Sequence, residues 1–193
     1  MAEELQGMRI AFLVANEGIE QIELTEPWDA VSEAGGIAEL IAPECGKAQA
    51  MNHLDRADTF AVDRTTGEIS AVEYDAVVLP GGVANADALR MDQPAVTFVR
   101  RMFEAGKPCA VICHGPWALV EAGVVRGRTL TSWPSLKTDI RNAAGIWVDA
   151  EVQVCTSGPN VIVSSRKPDD LPAFCAKMTE VFEQSRQVSS ARG

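Results

Sequence analysis

The sequence predicts an α/β protein, flavodoxin-like, with a doubly wound and mainly parallel sheet covered by helices on both faces. Three observations carry this. Short continuous apolar runs recur at residues 8–15 (MRIAFLVA), 37–42, 75–79 (DAVVL) and 110–112, the signature of strands buried on both sides. Helically spaced apolar residues fill the stretches between most of them, and glycines such as Gly35, Gly36, Gly106 and Gly145 close the helical segments. At 193 residues and 47% apolar content, the chain suits one well-filled core. A single domain over residues 1–193 is expected, with loose ends at about 1–7 and 185–193.

Taken in order, residues 8–15 form the first strand, and its end opens into NEGIEQIELTEP, where polar residues meet glycine. Ligand sites of open α/β sheets lie at such strand ends. A helix is expected from Glu26-Pro27-Trp28, with Trp28, Val31 and Ala34 on its apolar face. The second strand is 37–42, and residues 43–66 read as short antiparallel excursions or loop. The strand at 75–79 runs into Pro80-Gly81-Gly82, and adjacent glycines let backbone N–H groups approach a bound group. Residues 94–105 are a helix. The strand 110–112 and its following helix come next, then a short strand at 128–131, a helix at 135–144, strands at 147–154 and 161–165, and a closing helix from Pro168 to about Gln184.

Composition excludes several classes. A formal charge of −10 without a Lys/Arg cluster argues against nucleic acid. The start MAEELQG lacks the basic and then apolar order of a secretion signal, and no apolar run is long enough to span a bilayer, so a soluble cytoplasmic protein without membrane partners is expected. The five cysteines are scattered, with no C-x-x-C pair, so neither disulfides nor a zinc site is expected, and no metal or other cofactor.

The chemistry centres on AVICHGPWAL, residues 110–119. An apolar strand leads into Cys113, a turn follows at His114-Gly115-Pro116, and a helix resumes at Trp117. A thiol on such an elbow is a candidate nucleophile, with a helix start favouring its anion. The chain has two histidines, His53 and His114, and His114 is the better partner by position. An acid near the sulfur would tune it, and Glu17, Glu20 and Glu23 all lie near the first strand's end. Composition does not choose among them.

The combination of GIEQIELTEP, a strand ending LPGG, and ICHGPW with downstream TSWPS resembles the DJ-1/PfpI superfamily, in its PfpI-like stress-protein and intracellular cysteine-peptidase branch, from Met8 to about Phe182. The resemblance implies Cys113 as the elbow nucleophile with His114 beside it, and Glu20 as the acid that hydrogen-bonds the sulfur. Asp87, from a neighbouring subunit, would approach the histidine. Backbone N–H groups of Gly82 and His114 would form the oxyanion pocket, with Gly81 and Trp133 lining the substrate. A homodimer or larger homo-oligomer follows. The implied activity is thiol-dependent attack on a carbonyl, either peptide hydrolysis or glyoxalase/deglycase-like removal of reactive aldehydes. The competing expectation is a redox sensor whose Cys113 is oxidised without turnover. Cys155, where relatives carry an acidic or polar residue, receives no role.

Overall fold

The computed structural model describes residues 4–190. Its centre is a seven-stranded sheet built from β1 (Arg9–Leu13), β3 (Ile37–Ala42), β6 (Arg64–Thr65), β7 (Ala76–Leu79), β8 (Cys109–Ile112), β11 (Val152–Cys155) and β12 (Ile162–Ser165). The order is β11-β12-β8-β7-β1-β3-β6, parallel throughout except for the antiparallel edge strand β11. This is the predicted flavodoxin-like sandwich. Two small sheets flank it: β2 (Glu17–Glu20) with the hairpin β4 (Lys47–Asn52) and β5 (Asp55–Ala61), and the pair β9 (Thr129–Leu130) with β10 (Ile146–Trp147).

Alternation along the strands divides the core in two. Ala11, Leu13, Val77, Leu79 and Val111 face α3 (Gln93–Glu104), α4 (Pro116–Glu121) and α5 (Lys137–Asn142), where Phe98, Val99, Met102, Leu119 and Ile140 are buried. Ile10, Phe12, Val78, Ala110 and Ile112 face α1 (Gln21–Glu33) and α6 (Leu171–Ser190), meeting Leu24, Val31, Phe174, Met178 and Phe182. Each such Leu, Ile or Phe contributes roughly 1.5–3 kcal/mol by leaving water. One sheet therefore anchors both layers, and its strand ends are held rigidly.

Four elements differ from expectation. α1 begins at Gln21, five residues before the expected start, and carries Pro27 in its interior. Proline at 27 suggests a first turn, but Glu23, Pro27 and Val31 share one buried stripe at i+4 spacing, and that packing fixes the helix start. A short helix α2 (Val83–Leu89), absent from the sequence expectation, follows the glycine pair. The stretch 147–154 is split between β10 and β11, which join different sheets. Finally, residues 185–190 continue α6 rather than fraying, and Leu5 is fully buried, so both predicted loose ends are partly ordered. Residues 1–3 and 191–193 lie outside the described residues.

Candidate active site

Cys113 follows β8 at the carboxyl end of the parallel strands, with φ 59°. Continuing the alternation of Cys109 and Val111 would send its side chain toward α3 and α4. The left-handed turn instead places Cys113 in the opposite layer, with Ile112 and Val163. Such a backbone costs on the order of 1–2 kcal/mol in a residue with a side chain. It is held from both sides: Cys113 N donates to Ser165 O at 3.1 Å, and Trp133 N donates to Cys113 O at 2.9 Å. Gly115 completes the elbow, where a Cβ would stand 2.7 Å from Leu79 O.

His114 brings Nδ1 to 3.2 Å from Cys113 Sγ, so the adjacent pair does meet. Its Nε2 lies 3.5 Å from Ser135 Oγ. The ring stacks on Trp133 at 5.8 Å and 25°, and meets Trp117 edge-on at 5.3 Å. Burial pushes the imidazole pKa down, so the ring is neutral at pH 7. Trp133 is 39% exposed and forms a wall open to solvent.

The acid beside the sulfur is Glu23, where the sequence expectation had Glu20. Glu23 lies in the first turn of α1 and is fully buried. Its oxygens reach no regular hydrogen-bond partner among the described residues, and the groups they face are the Cys113 thiol and the Gly81 N–H. These are apposed groups rather than formed bonds, so an ionised carboxylate would lack the donors it needs. Burial accordingly pushes the Glu23 pKa up to about 8, and the charge of Glu20 adds to the rise. Glu20 itself points elsewhere: its carboxylate accepts from His53 N at 3.2 Å and lies 3.9 Å from His53 Nδ1. The two glutamates part because Glu20 ends β2, whereas Glu23 joins the inward stripe of α1.

The thiol also departs from expectation. Cys113 is 6% exposed, and burial pushes its pKa up, further so beside a charged Glu23. N–H groups of Gly82 and His114 pull the other way without prevailing. The helix after the elbow, α4, has six residues, too short to oppose that desolvation. The resting site is a neutral cluster of thiol, carboxylic acid and imidazole rather than a stored thiolate.

Glycines make the closeness possible. A Cβ on Gly81 would collide with Glu23 Oε2 and stand 2.6 Å from Cys113 Cβ. Gly82, at φ 96°, passes against Gly18 O and Glu20 N, and its N–H faces the sulfur. Buried Asn85, unforeseen from sequence, ties this loop down: its amide donates to Gly81 O at 2.9 Å and Pro80 O at 3.2 Å, while Oδ1 accepts from Ala15 N at 2.7 Å. Asp87 is exposed on α2, away from the Cys113 elbow's hydrogen bonds. Among the described residues no group of three His, Cys, Asp or Glu could hold a metal, and no helix is long and apolar enough to cross a membrane.

Residues 8–181 match the DJ-1/PfpI family. The chain is 40% identical to Deglycase PH1704 of Pyrococcus horikoshii over 176 residues, 91% of this chain and 100% of that protein. It is 35% identical to General stress protein 18 of Bacillus subtilis over 178 residues, 92% and 99% of the two. A solved two-domain protein of Anabaena variabilis, with DJ-1/ThiJ/PfpI-like and ferritin-like domains, is similar with a TM-score of 0.81 and 29% identity, over 90% of this chain and 47% of that one. The chain belongs to the DJ-1/PfpI family.

Proposed function

We propose that the protein is a thiol-dependent enzyme of deglycase or glyoxalase type, in which Cys113 adds to the carbonyl of a reactive aldehyde or its adduct. The observation that carries this is the apposition of three proton-bearing groups, with the Cys113 sulfur against both His114 Nδ1 and the buried Glu23 carboxyl. A deglycase 40% identical over nearly the whole chain supports the same reading.

The chemistry follows from the protonation states. Neutral His114 accepts the thiol proton on Nδ1 while Sγ bonds to the carbonyl carbon. The π electrons move to oxygen, where N–H groups of Gly82 and His114 meet the new charge. Glu23, still protonated, gives its proton to that oxygen, and the imidazolium carries the thiol's proton, so the adduct is neutral beside an ion pair of His114 and Glu23. A neutral acid can serve there because burial holds its pKa near neutrality. A redox-sensor role is less well supported, since peroxide attacks thiolates and this thiol is buried and protonated at rest. Peptide hydrolysis is the second reading, and it differs in drawing on Asp87, which is exposed on α2.

The test is methylglyoxal turnover by the full chain and by Cys113→Ala, with casein cleavage alongside. The proposal expects aldehyde consumption that falls by at least about 10³ in the variant, since the covalent route is then closed. Consumption retained by Cys113→Ala would overturn it, and casein cleavage without aldehyde consumption would replace it with the peptidase reading.

A further inference from the structure

At the other end of the sheet from Cys113, the geometry points to a second ligand site: a pocket walled by Arg100, Arg126 and Arg128 that takes a small oxyanion of phosphate type. The pocket, about 460 Å³, lies between α3, the turn after α4 and the turn joining β11 to β12. Such a volume suits a small ligand. It stands apart from the elbow. Cys155, beside Arg128, pairs with Ile162, which pairs with Cys109, four residues before Cys113. Four strand residues span about 13 Å.

Most of the described arginines have a counter-charge within reach. Arg9, Arg56, Arg64, Arg90, Arg101 and Arg166 each sit within 3.1 Å of a carboxylate. Among the described residues Arg100, Arg126, Arg128 and Arg141 make none of these ion pairs, and three of the four line this one pocket. Its acidic residue, Glu104, is held by Arg101 at 2.8 Å. In a chain carrying 27 acidic against 17 basic residues, pairing these cations with carboxylates would be easy. Three of them are left together at this pocket.

Arg128 fixes the pocket floor. It is 3% exposed, and a Cβ on Gly158 would stand 2.7 Å from Nη1, so the turn closes over the guanidinium. Its N–H groups donate to Asn160 Oδ1 at 3.0 Å, Asn160 O at 2.6 Å, Cys155 O at 3.4 Å and Cys155 Sγ at 3.4 Å. Three of these acceptors are neutral, and the fourth is the Cys155 sulfur rather than a carboxylate. A buried cation so placed favours an anion nearby. Arg100 Nε donates to Ala122 O at 3.0 Å and lines the same pocket, while Arg126 is exposed at the rim. A phosphate group, with three acceptor oxygens, matches planar guanidinium donors better than chloride does.

The experiment is calorimetric titration of the full chain with inorganic phosphate at pH 7.5, against chloride of equal ionic strength, for the parent, Arg100→Gln/Arg126→Gln and Cys113→Ala. Both arginines are exposed, so the double variant keeps its fold, which circular dichroism checks. Expected are saturable one-to-one binding, a Tm rise of about 3 °C at tenfold excess over Kd, at least about tenfold weaker binding in the double variant, and unchanged binding in Cys113→Ala. Glycerol 3-phosphate as second titrant assigns a phosphomonoester if tighter and free phosphate if weaker. Equal binding by the double variant, a chloride response equal to that of phosphate, or no saturation by about 10 mM overturns the proposal.

Discussion

Two buried cysteines, Cys113 and Cys155, sit at opposite ends of one sheet and are driven in opposite directions. Their exposure is nearly equal, 6% and 3%, so burial alone would raise both thiol pKa values. Cys113 has no cation beside it, and burial raises it, further so where Glu23 is charged. At Cys155 burial is overturned by the Arg128 guanidinium and by the Thr129 N–H at 3.3 Å, and the pKa is lowered. At Cys155 a neighbouring cation outweighs burial, whereas at Cys113 none does; position on an elbow before a helix does not decide the direction. A thiol that rests neutral is suited to a reaction in which a base removes its proton only when a carbonyl arrives.

The sharpest way to break this contrast is Glu23→Gln. The amide keeps the shape but cannot deliver a proton, so kcat should fall by about 10² or more. Stability should move the other way. Glu23 has a folded pKa of about 8 against 4.5 in its ordinary state, so the folded protein binds the extra proton between those values. Its favourable contribution is complete below about pH 4.5 and is lost as pH rises through about 8. At pH 7 the variant should be the more stable protein by on the order of 3 kcal/mol, and its stability should no longer decline toward pH 8. Denaturant melts of both proteins from pH 5 to 9 check this, and parallel curves would show that Glu23 does not hold a proton. The parent's activity should likewise fall above about pH 8, as Glu23 ionises.

A smaller effect sharpens the other half. Replacing Arg128 with methionine removes the donor from Cys155 Sγ, and lysine keeps the charge. Followed by NMR of Cβ-labelled cysteine, Cys155 should titrate higher in Arg128→Met than in the parent, while Arg128→Lys retains most of the lowering. Cys113 should titrate unchanged in both. An unmoved Cys155 would mean that Thr129 N–H alone lowers its pKa, and the contrast would no longer rest on charge.

How much of this was legible depends on range. The strand runs at 37–42 and 75–79, the glycine stops and the elbow itself are local patterns, and the structure has β3, β7 and the Cys113 turn at those places. The meeting of Cys113 with His114 was likewise readable, because adjacent residues need only a bent backbone. What failed were environments. The rise at Cys113 comes from burial and from a residue ninety positions away, neither of which is written in AVICHGPWAL. The choice of Glu23 was nearer to hand. Its i+4 spacing to Pro27 and Val31 was present in the sequence, and it was hidden by reading proline as a helix start. Arg128 and Cys155 gave no local signal, since their contact joins two separate turns.

The smallest effect tests the assignment of the acid itself. Glu20 and Glu23 are one helical turn apart in sequence, and a structure that apposed Glu20 to the sulfur would make Glu20→Gln as damaging as Glu23→Gln. Here Glu20 accepts from His53 N, a role that the glutamine Oε1 can keep, so kcat should change by less than about twofold. One trace of Glu20 should remain. Its negative charge helps raise the Glu23 pKa, and removing it lets Glu23 ionise at lower pH. The alkaline fall in activity should therefore begin a fraction of a unit earlier in Glu20→Gln, with the plateau unchanged. A pH profile of kcat for the two variants separates the cases: a lost plateau in Glu20→Gln returns the acid to Glu20, and a shifted limb alone keeps it at Glu23.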